Sequence, residues 1–297
     1  MPTLHLIDAS VFVFRAYFSV SDRVRDPKGA PANAVLGFGT FLCELLEQRN
    51  PQYIAAAFDE SLSQSFRNEL YPPYKANRPE APLELIYQFR VCRELCAALG
   101  IAPFASPTHE ADDLIGTLAE QARPRGFDML YLSADKDLAQ LIRGQDRLWD
   151  PGRGRMLDAA TVPGEFGVRP EQMIDLLGLA GDAVDNIPGV PGIGRKTAAT
   201  LLANLDDLDG IYAGLARIPE LGLRGAARLQ RLLSEHREQA YLSRRLATID
   251  CAAPLTVAPD ALSWRGADPD ALEALPLPAG LKRRAMRLIV PPLPLDG

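Results

Sequence analysis

The chain has 297 residues, 47% hydrophobic and 24% charged, an ordinary globular balance with room for one large domain or a domain plus a smaller lobe. No apolar run reaches the roughly 18 residues that span a bilayer, and Met1-Pro2-Thr3-Leu4-His5 lacks the basic region of a secretory signal, so the expectation is a cytoplasmic protein with no membrane partner. A net charge of −6 argues at first against a nucleic-acid binder, and three scattered histidines, His5, His109 and His236, argue against a histidine-rich zinc site.

Short apolar runs that end in polar or acidic residues read as strands: Leu4 to Ile7, Tyr53 to Phe58, Ile101 to Phe104, Met129 to Leu132 and Arg147 to Trp149. Helical patterns separate them at Ala34 to Glu47, Leu83 to Leu99 and Asp112 to Ala122. This alternation predicts an α/β fold, a mostly parallel sheet flanked by helices. Residues 61 to 82 break the pattern with mixed aromatic, basic and proline residues, and read as a surface excursion. The two prolines of Tyr71-Pro72-Pro73-Tyr74 should break a helix there or delay its start to Pro73. Beyond about residue 165 helices dominate, at Glu171 to Leu179, Arg195 to Leu205, Leu208 to Arg217 and Ala226 to Ile249, with a short basic helix at Leu281 to Leu288. Cys43, Cys92, Cys96 and Cys251 read as reduced cysteines.

The acidic residues fall at meaningful places. Asp8 closes the first strand and Asp59 the second, at the sheet edge where open parallel sheets bind ligands. Glu110, Asp112 and Asp113 open a helix, Asp135 and Asp137 follow a strand, and Asp182 and Asp185 sit in a glycine-rich stretch. Each group has an ordinary structural alternative, because acids complement helix dipoles and Asp favours turns. Together, many carboxylates on one edge repel one another unless cations neutralise them. Two divalent ions, Mg²⁺ or Mn²⁺ given all-oxygen ligands, would do so and would suit phosphodiester cleavage. Removing these nine negative charges from a net −6 leaves +3, which permits basic surfaces beside a metal-filled pocket.

Two further segments suit nucleic acid. Gly189-Val190-Pro191-Gly192-Ile193-Gly194-Arg195-Lys196-Thr197 lacks the spacing of a nucleotide-binding phosphate loop, which excludes that reading. Its glycines before a helix would instead let backbone N–H groups meet a DNA phosphate beside Arg195 and Lys196, or simply make a tight interhelical turn. Phe66, Arg67, Tyr74, Lys75 and Arg78 interleave rings and cations in a way that suits a single strand, or simply make a solvated surface helix, and on a helix Lys75 and Arg78 would share a face.

These stretches, in this order from about residue 4 to 250, resemble the 5′-nuclease superfamily, specifically the 5′–3′ exonuclease domain of bacterial DNA polymerase I and stand-alone flap endonucleases. The matching residues include Leu6-Ile7-Asp8-Ala9-Ser10 with Arg15-Ala16-Tyr17, Ala57-Phe58-Asp59, Tyr74-Lys75-Ala76-Asn77-Arg78-Pro79, Glu110-Ala111-Asp112-Asp113, Ser133-Ala134-Asp135-Lys136-Asp137 and Gly181 to Ala198. The resemblance implies a PIN-like core at 1–165 with a helical arch at about 63–95, a helix–three-turn–helix lobe at 166–250 and a C-terminal extension at 251–297. It implies that the nine acids hold two divalent ions, that Lys75 and Arg78 are catalytic cations, and that Arg15, Phe66, Arg67, Tyr74, Gly189, Gly192, Gly194, Arg195, Lys196 and Thr197 contact DNA. It further implies K⁺ on the backbone carbonyls of Val190 and Ile193. The expected substrate is DNA with a 5′ flap, overhang or nick, an RNA primer on the 5′ strand staying open, acted on by a monomer. Ala9 and Ala134 depart from the family by placing a methyl group where glycine is usual. A binding-only relative and a PIN-type ribonuclease are the rivals; Asp137, Asp182 and Asp185 argue against the first.

Overall fold

The computed structural model describes residues 1–60 and 65–289. Its strands are β1 (Thr3–Asp8), β2 (Tyr53–Asp59), β3 (Ala102–Ser106), β4 (Asp128–Leu132), β5 (Arg147–Asp150) and β6 (Arg155–Leu157). Its α-helices are α1 (Ala9–Ser19), α2 (Asn33–Arg49), α3 (Phe66–Leu70), α4 (Leu83–Ala98), α5 (Ala111–Ala122), α6 (Val162–Phe166), α7 (Met173–Ala180), α8 (Arg195–Leu205), α9 (Leu208–Ala213), α10 (Ala226–Glu235), α11 (Arg237–Ala247), α12 (Pro269–Ala274) and α13 (Ala279–Ala285). The residues form two compact units: Met1–Leu62 with Glu80–Ala134 and Asp250–Gly297, and Ser63–Pro79 with Asp135–Ile249. Among the described residues, no helix is long and apolar enough to cross a membrane.

The first unit is built on a parallel sheet in the order β3-β2-β1-β4, with Leu4 paired to Tyr53 on one side and Met129 on the other. Its inner strands are nearly continuous apolar runs because helices cover both faces. Leu4, Leu6, Ile7, Ile54 and Tyr131 are fully buried. Buried Gln88 of α4 ties that helix to α2, accepting from the Ala34 N–H at 2.7 Å and donating to Asn33 Oδ1 at 3.0 Å. The expected mostly parallel α/β architecture is borne out. Parallel pairing also fixes where the chain leaves the sheet: Asp8 and Asp59 are the last residues of neighbouring strands. Ala9 and Ala134, where the resemblance led us to expect glycine, both avoid positive φ, so their methyl groups meet no left-handed strain.

The second unit is helical, with one antiparallel hairpin, β5–β6. Two expected helices are shorter than periodicity suggests. The one at Leu208 to Arg217 ends at Ala213, where Gly214 follows and a 3-10 turn containing Pro219 takes over. The one at Ala226 to Ile249 breaks at His236, because its halves bury different faces: α10 packs on the 3-10 turn Leu215–Leu221, and α11 on α7.

The excursion differs most from expectation. Ser61, Leu62, Ser63 and Gln64 lie outside the described residues, as do residues 290–297 of the expected C-terminal extension. The segments expected to make an arch fall in different units, α3 and residues 71–79 in the second and α4 in the first. No helix starts at Pro73; residues 72–77 are turns. Arg67 and Tyr74 are not displayed: each is only 3% exposed. Tyr74 packs with Leu177, Ile187, Leu246 and Ala247. Arg67 lies over the Phe66 ring and donates from Nε to the Leu246 carbonyl and from Nη2 to the Thr248 carbonyl, both at 2.8 Å. A guanidinium can be buried when its fixed fork of N–H groups meets acceptors. Arg67→Ala is therefore expected to cost about 2–4 kcal/mol of stability by stranding buried carbonyls. Denaturant unfolding checks this, and a loss below about 1 kcal/mol would mark Arg67 as an ordinary surface residue.

Candidate active site

In the first unit the acids are held by hydroxyl and backbone donors. Asp8 caps α1 by accepting from the Val11 N–H, and its Oδ2 receives the Ser133 hydroxyl at 2.6 Å. Ser10, the second residue of α1, accepts the Asp59 N–H at 2.9 Å. Asp59 Oδ1 in turn accepts the Ala111 N–H at 2.9 Å, at the start of α5. Strand-end acids are thus stitched to helix N-termini, where N–H groups lack intrahelical partners.

Glu110 and Asp112 are half-buried at the head of α5, whereas Asp113 is completely buried. Asp113 accepts the Glu110 N–H through Oδ2 at 3.0 Å and the Asp250 N–H through Oδ1 at 2.8 Å. Both of its oxygens thus hold backbone N–H groups in place. His109 Nε2 lies 3.4 Å from Asp250 Oδ2, next to Glu110. Arg15 is half-buried on α1 with its guanidinium over Phe12.

In the second unit, acids and cations converge. Asp135 Oδ1 accepts the Asp137 N–H at 2.9 Å in a tight turn. Asp182 and Ile187 exchange backbone hydrogen bonds of 2.9 and 2.7 Å, closing a small loop that carries Asp185. Gly181 and Gly189 permit this closure: a Cβ on Gly189 would stand 2.3 Å from the Gly181 nitrogen, and both residues have positive φ.

The turn at 71–79 is fastened to that loop. The Lys75 N–H donates to the Asp185 carbonyl at 3.0 Å, Asn77 Nδ2 to the Ala183 carbonyl at 3.0 Å, and Asn186 Nδ2 to the Pro73 carbonyl at 2.7 Å. Arg78 Nη2 reaches Asp185 Oδ1 at 2.6 Å, and Lys75 Nζ lies 3.8 Å from Oδ2. Lys75 and Arg78 do converge, through a turn in which Lys75 has φ +54° rather than along a helix face. The Tyr74 hydroxyl lies 3.4 Å from the same carboxylate. The buried ring thus presents only its polar tip to the acids, which differs from an exposed stacking surface.

Lys136 Nζ sits 2.7 Å from Asp182 Oδ2 and 3.4 Å from Asp137 Oδ1, and Arg195 Nη2 is 3.8 Å from Asp182 Oδ2. Burial, followed by the charge of Asp135 and then of Asp182 and Asp185, pushes the Asp137 carboxyl up to about 7 against the pull of Lys136. Burial also works against ionised Asp182, yet the Lys136 hydrogen bond and charge hold its carboxyl below the usual range. Sequence reading gave no role to Ser10, Ser133 or Lys136, although all three lie inside the motifs it singled out. A hydroxyl directly after a strand and a lysine between two aspartates were the available signals.

Of the glycine-rich residues, Gly192, Gly194, Arg195 and Lys196 are exposed at the start of α8, and Thr197 is half-buried. Gly189 differs from expectation. Its N–H donates to Ser243 Oγ at 3.0 Å and its carbonyl accepts from Gln239 Nε2 at 2.7 Å, so it closes the interior of the turn. The side chains of Val190 and Ile193 are buried, and the Val190 carbonyl accepts the Ile193 N–H at 3.0 Å.

The donor chemistry fits hard divalent cations. The acids offer only carboxylate oxygens, and Asp137 Oδ1 is buried without a hydrogen-bond partner. Among the described residues, no three His, Cys, Asp or Glu side chains are gathered into a ready metal cluster. In this structure the acids of the second unit face the protein's own cations.

Residues 3–167 match a family model described as the 5′-3′ exonuclease N-terminal resolvase-like domain, and residues 168–270 match the 5′-3′ exonuclease C-terminal SAM fold. The chain belongs to the 5′–3′ exonuclease family. The chain is 38% identical over 272 residues to DNA polymerase I of Streptococcus pneumoniae, a match covering 89% of the chain and 30% of the polymerase. It is 41% identical over 260 residues to DNA polymerase I of Pseudomonas aeruginosa, covering 87% of the chain and 28% of that protein. The chain therefore spans about 30% of the length of these curated relatives. Among solved structures it resembles T5 5′-exonuclease with bound zinc, at a TM-score of 0.67 and 20% identity, covering 96% of this chain and 99% of that one. It also resembles the catalytic core of Rad2 in complex with DNA substrate, at a TM-score of 0.62 and 17% identity, covering 97% and 92%. At these identities the shared property is the fold.

Proposed function

We propose that this exonuclease is a structure-specific 5′-nuclease that hydrolyses DNA at 5′ flaps and 5′ ends by a two-metal-ion mechanism, giving 5′-phosphate and 3′-hydroxyl products. The observation that carries this reading is the meeting of Lys75 and Arg78 with Asp185, beside Asp137 and Asp182. Groups suited to a phosphate and groups suited to a divalent ion occupy one cluster.

Asp8, Asp59, Glu110, Asp112, Asp113, Asp135, Asp137, Asp182 and Asp185 are the proposed ligands for Mg²⁺ or Mn²⁺. Asp113 serves chiefly by anchoring Glu110. Bound divalent ions supply an activated water and charge neutralisation at phosphorus. Ser133 keeps the Asp8 carboxylate oriented by its short hydrogen bond. Lys75 and Arg78 stabilise charge on the phosphate being transferred. Gly192, Gly194, Arg195, Lys196 and Thr197 at the start of α8 hold duplex phosphates through backbone N–H groups and side-chain charge, with K⁺ on the Val190 and Ile193 carbonyls as an added bridge. Arg15 and Phe66 complete the DNA contacts. The division is a catalytic core at 1–165, a helical DNA-binding lobe at 166–250 and an extension from 251, acting as a monomer on flaps, overhangs and nicks, including strands that begin with RNA.

Labelled double-flap DNA is the test. With Mg²⁺ or Mn²⁺ at low salt the flap should be released at the duplex junction, leaving a nick that DNA ligase seals. EDTA should abolish the release. Absence of cleavage with either metal would sink the enzymatic assignment.

A further inference from the structure

The turn Asp135-Lys136-Asp137 puts a lysine between two acids, and the proposed reaction leaves that lysine without a task. Lys136 retains 25% side-chain exposure, and its Nζ bridges two segments distant in sequence: Asp182 Oδ2 at 2.7 Å and Asp137 Oδ1 at 3.4 Å. The two contacts are unequal. The first is a full charge-assisted hydrogen bond, whereas Asp137 Oδ1 is buried and accepts no hydrogen bond. A purely structural buried ion pair normally satisfies both partners, because an incompletely paired buried charge is costly. Here one oxygen is left for a stronger partner. The competing cations nearby are already engaged: Arg195 stands 3.8 Å from Asp182, and Lys75 and Arg78 face Asp185. An ammonium on a flexible four-carbon stem can move where a planar, forked guanidinium would be held.

We infer that Lys136 is a tethered counter-ion, a positioning residue that bridges Asp137 and Asp182 in the metal-free protein and withdraws when a divalent cation takes over the two carboxylates. This rests on the metal-dependent reading above. It explains how closely spaced acids stay in place before a metal arrives. It also implies a cost, because each binding event must displace a bound ammonium.

The measurement is Mn²⁺ binding to the DNA-free protein, read by electron paramagnetic resonance of the unbound ion, together with thermal unfolding in EDTA. Lys136→Met should bind Mn²⁺ about tenfold more tightly, since no ammonium has to leave. The same variant should melt earlier than wild type in EDTA and recover when Mn²⁺ is added. Lys136→Arg, which keeps the charge, should stay near wild type in both readouts. Lys136→Gln, which keeps a donor for Asp182 without the charge, serves in place of the Met variant should that one not fold. Unchanged or weaker Mn²⁺ affinity in the uncharged variants, with normal binding by wild type, overturns the counter-ion role alone. Absence of Mn²⁺ binding by wild type overturns the metal-dependent reading, and this role with it.

Discussion

Replacing Lys75 with alanine is expected to slow single-turnover cleavage by about 10²- to 10³-fold while DNA affinity changes by less than about threefold. The split follows from placement. Lys75 is held close to Asp185 by its own backbone N–H, so its ammonium belongs to the acid cluster and not to a broad basic face. A charge that acts only as the phosphate changes geometry lowers the reaction barrier without tightening ground-state binding. The substitution is a clean probe because lysine and alanine bear similar backbone cost at φ +54°, which therefore cancels. Single-turnover kinetics with a labelled flap, paired with equilibrium binding in Ca²⁺, separates the two quantities. Equal losses in rate and affinity would reduce Lys75 to an ordinary phosphate contact.

Asp137→Asn should lower the cleavage rate by about 10³-fold and yet stabilise the metal-free protein by about 1–2 kcal/mol. The loss of rate reflects removal of a proposed metal ligand. The gain in stability comes from burial. The folded protein pushes this carboxyl up to about 7, so at pH 8 it carries a charge that the fold disfavours, with no donor on Oδ1. Asparagine keeps the shape and loses the charge. Part of the gain is offset because Lys136 then has one acid fewer to answer. Denaturant unfolding in EDTA at pH 8 measures the balance. A variant less stable than wild type would show that the Asp137–Lys136 pair contributes net stability, contrary to the view that the site is strained without metal.

The surroundings show how the negative charge at this turn is contained. Asp135 spends one oxygen on the turn itself, Asp182 takes a full hydrogen bond from Lys136, and Asp185 is shared by Arg78 and Lys75. The first unit follows another route: Asp8 relies on the Ser133 hydroxyl, Asp59 on the α5 terminus, and Asp113 on backbone N–H groups.

Much of this was legible in the chain alone. Leu4 to Ile7, Tyr53 to Phe58 and Met129 to Leu132 read as strands because a parallel sheet covered on both faces demands unbroken apolar runs. Asp8 and Asp59 were placed at strand ends, and α8 was bounded at Arg195 and Leu205, since strand length, helical period and glycine punctuation act over a few residues. What only the tertiary structure decided is which distant partner each polar side chain meets. Arg67 looked like a surface cation until the carbonyls of Leu246 and Thr248 received it, and Tyr74 looked like a stacking ring until α7 and α11 covered it. Gly189 looked like a phosphate donor until Ser243 took its N–H. Arg78 and Asp185 meet across 107 residues of sequence. The physical reason is the range of the forces that decide each matter: backbone conformation and hydrophobic period are set by near neighbours, whereas the partner of a buried donor or charge is set by whatever the folded chain brings beside it.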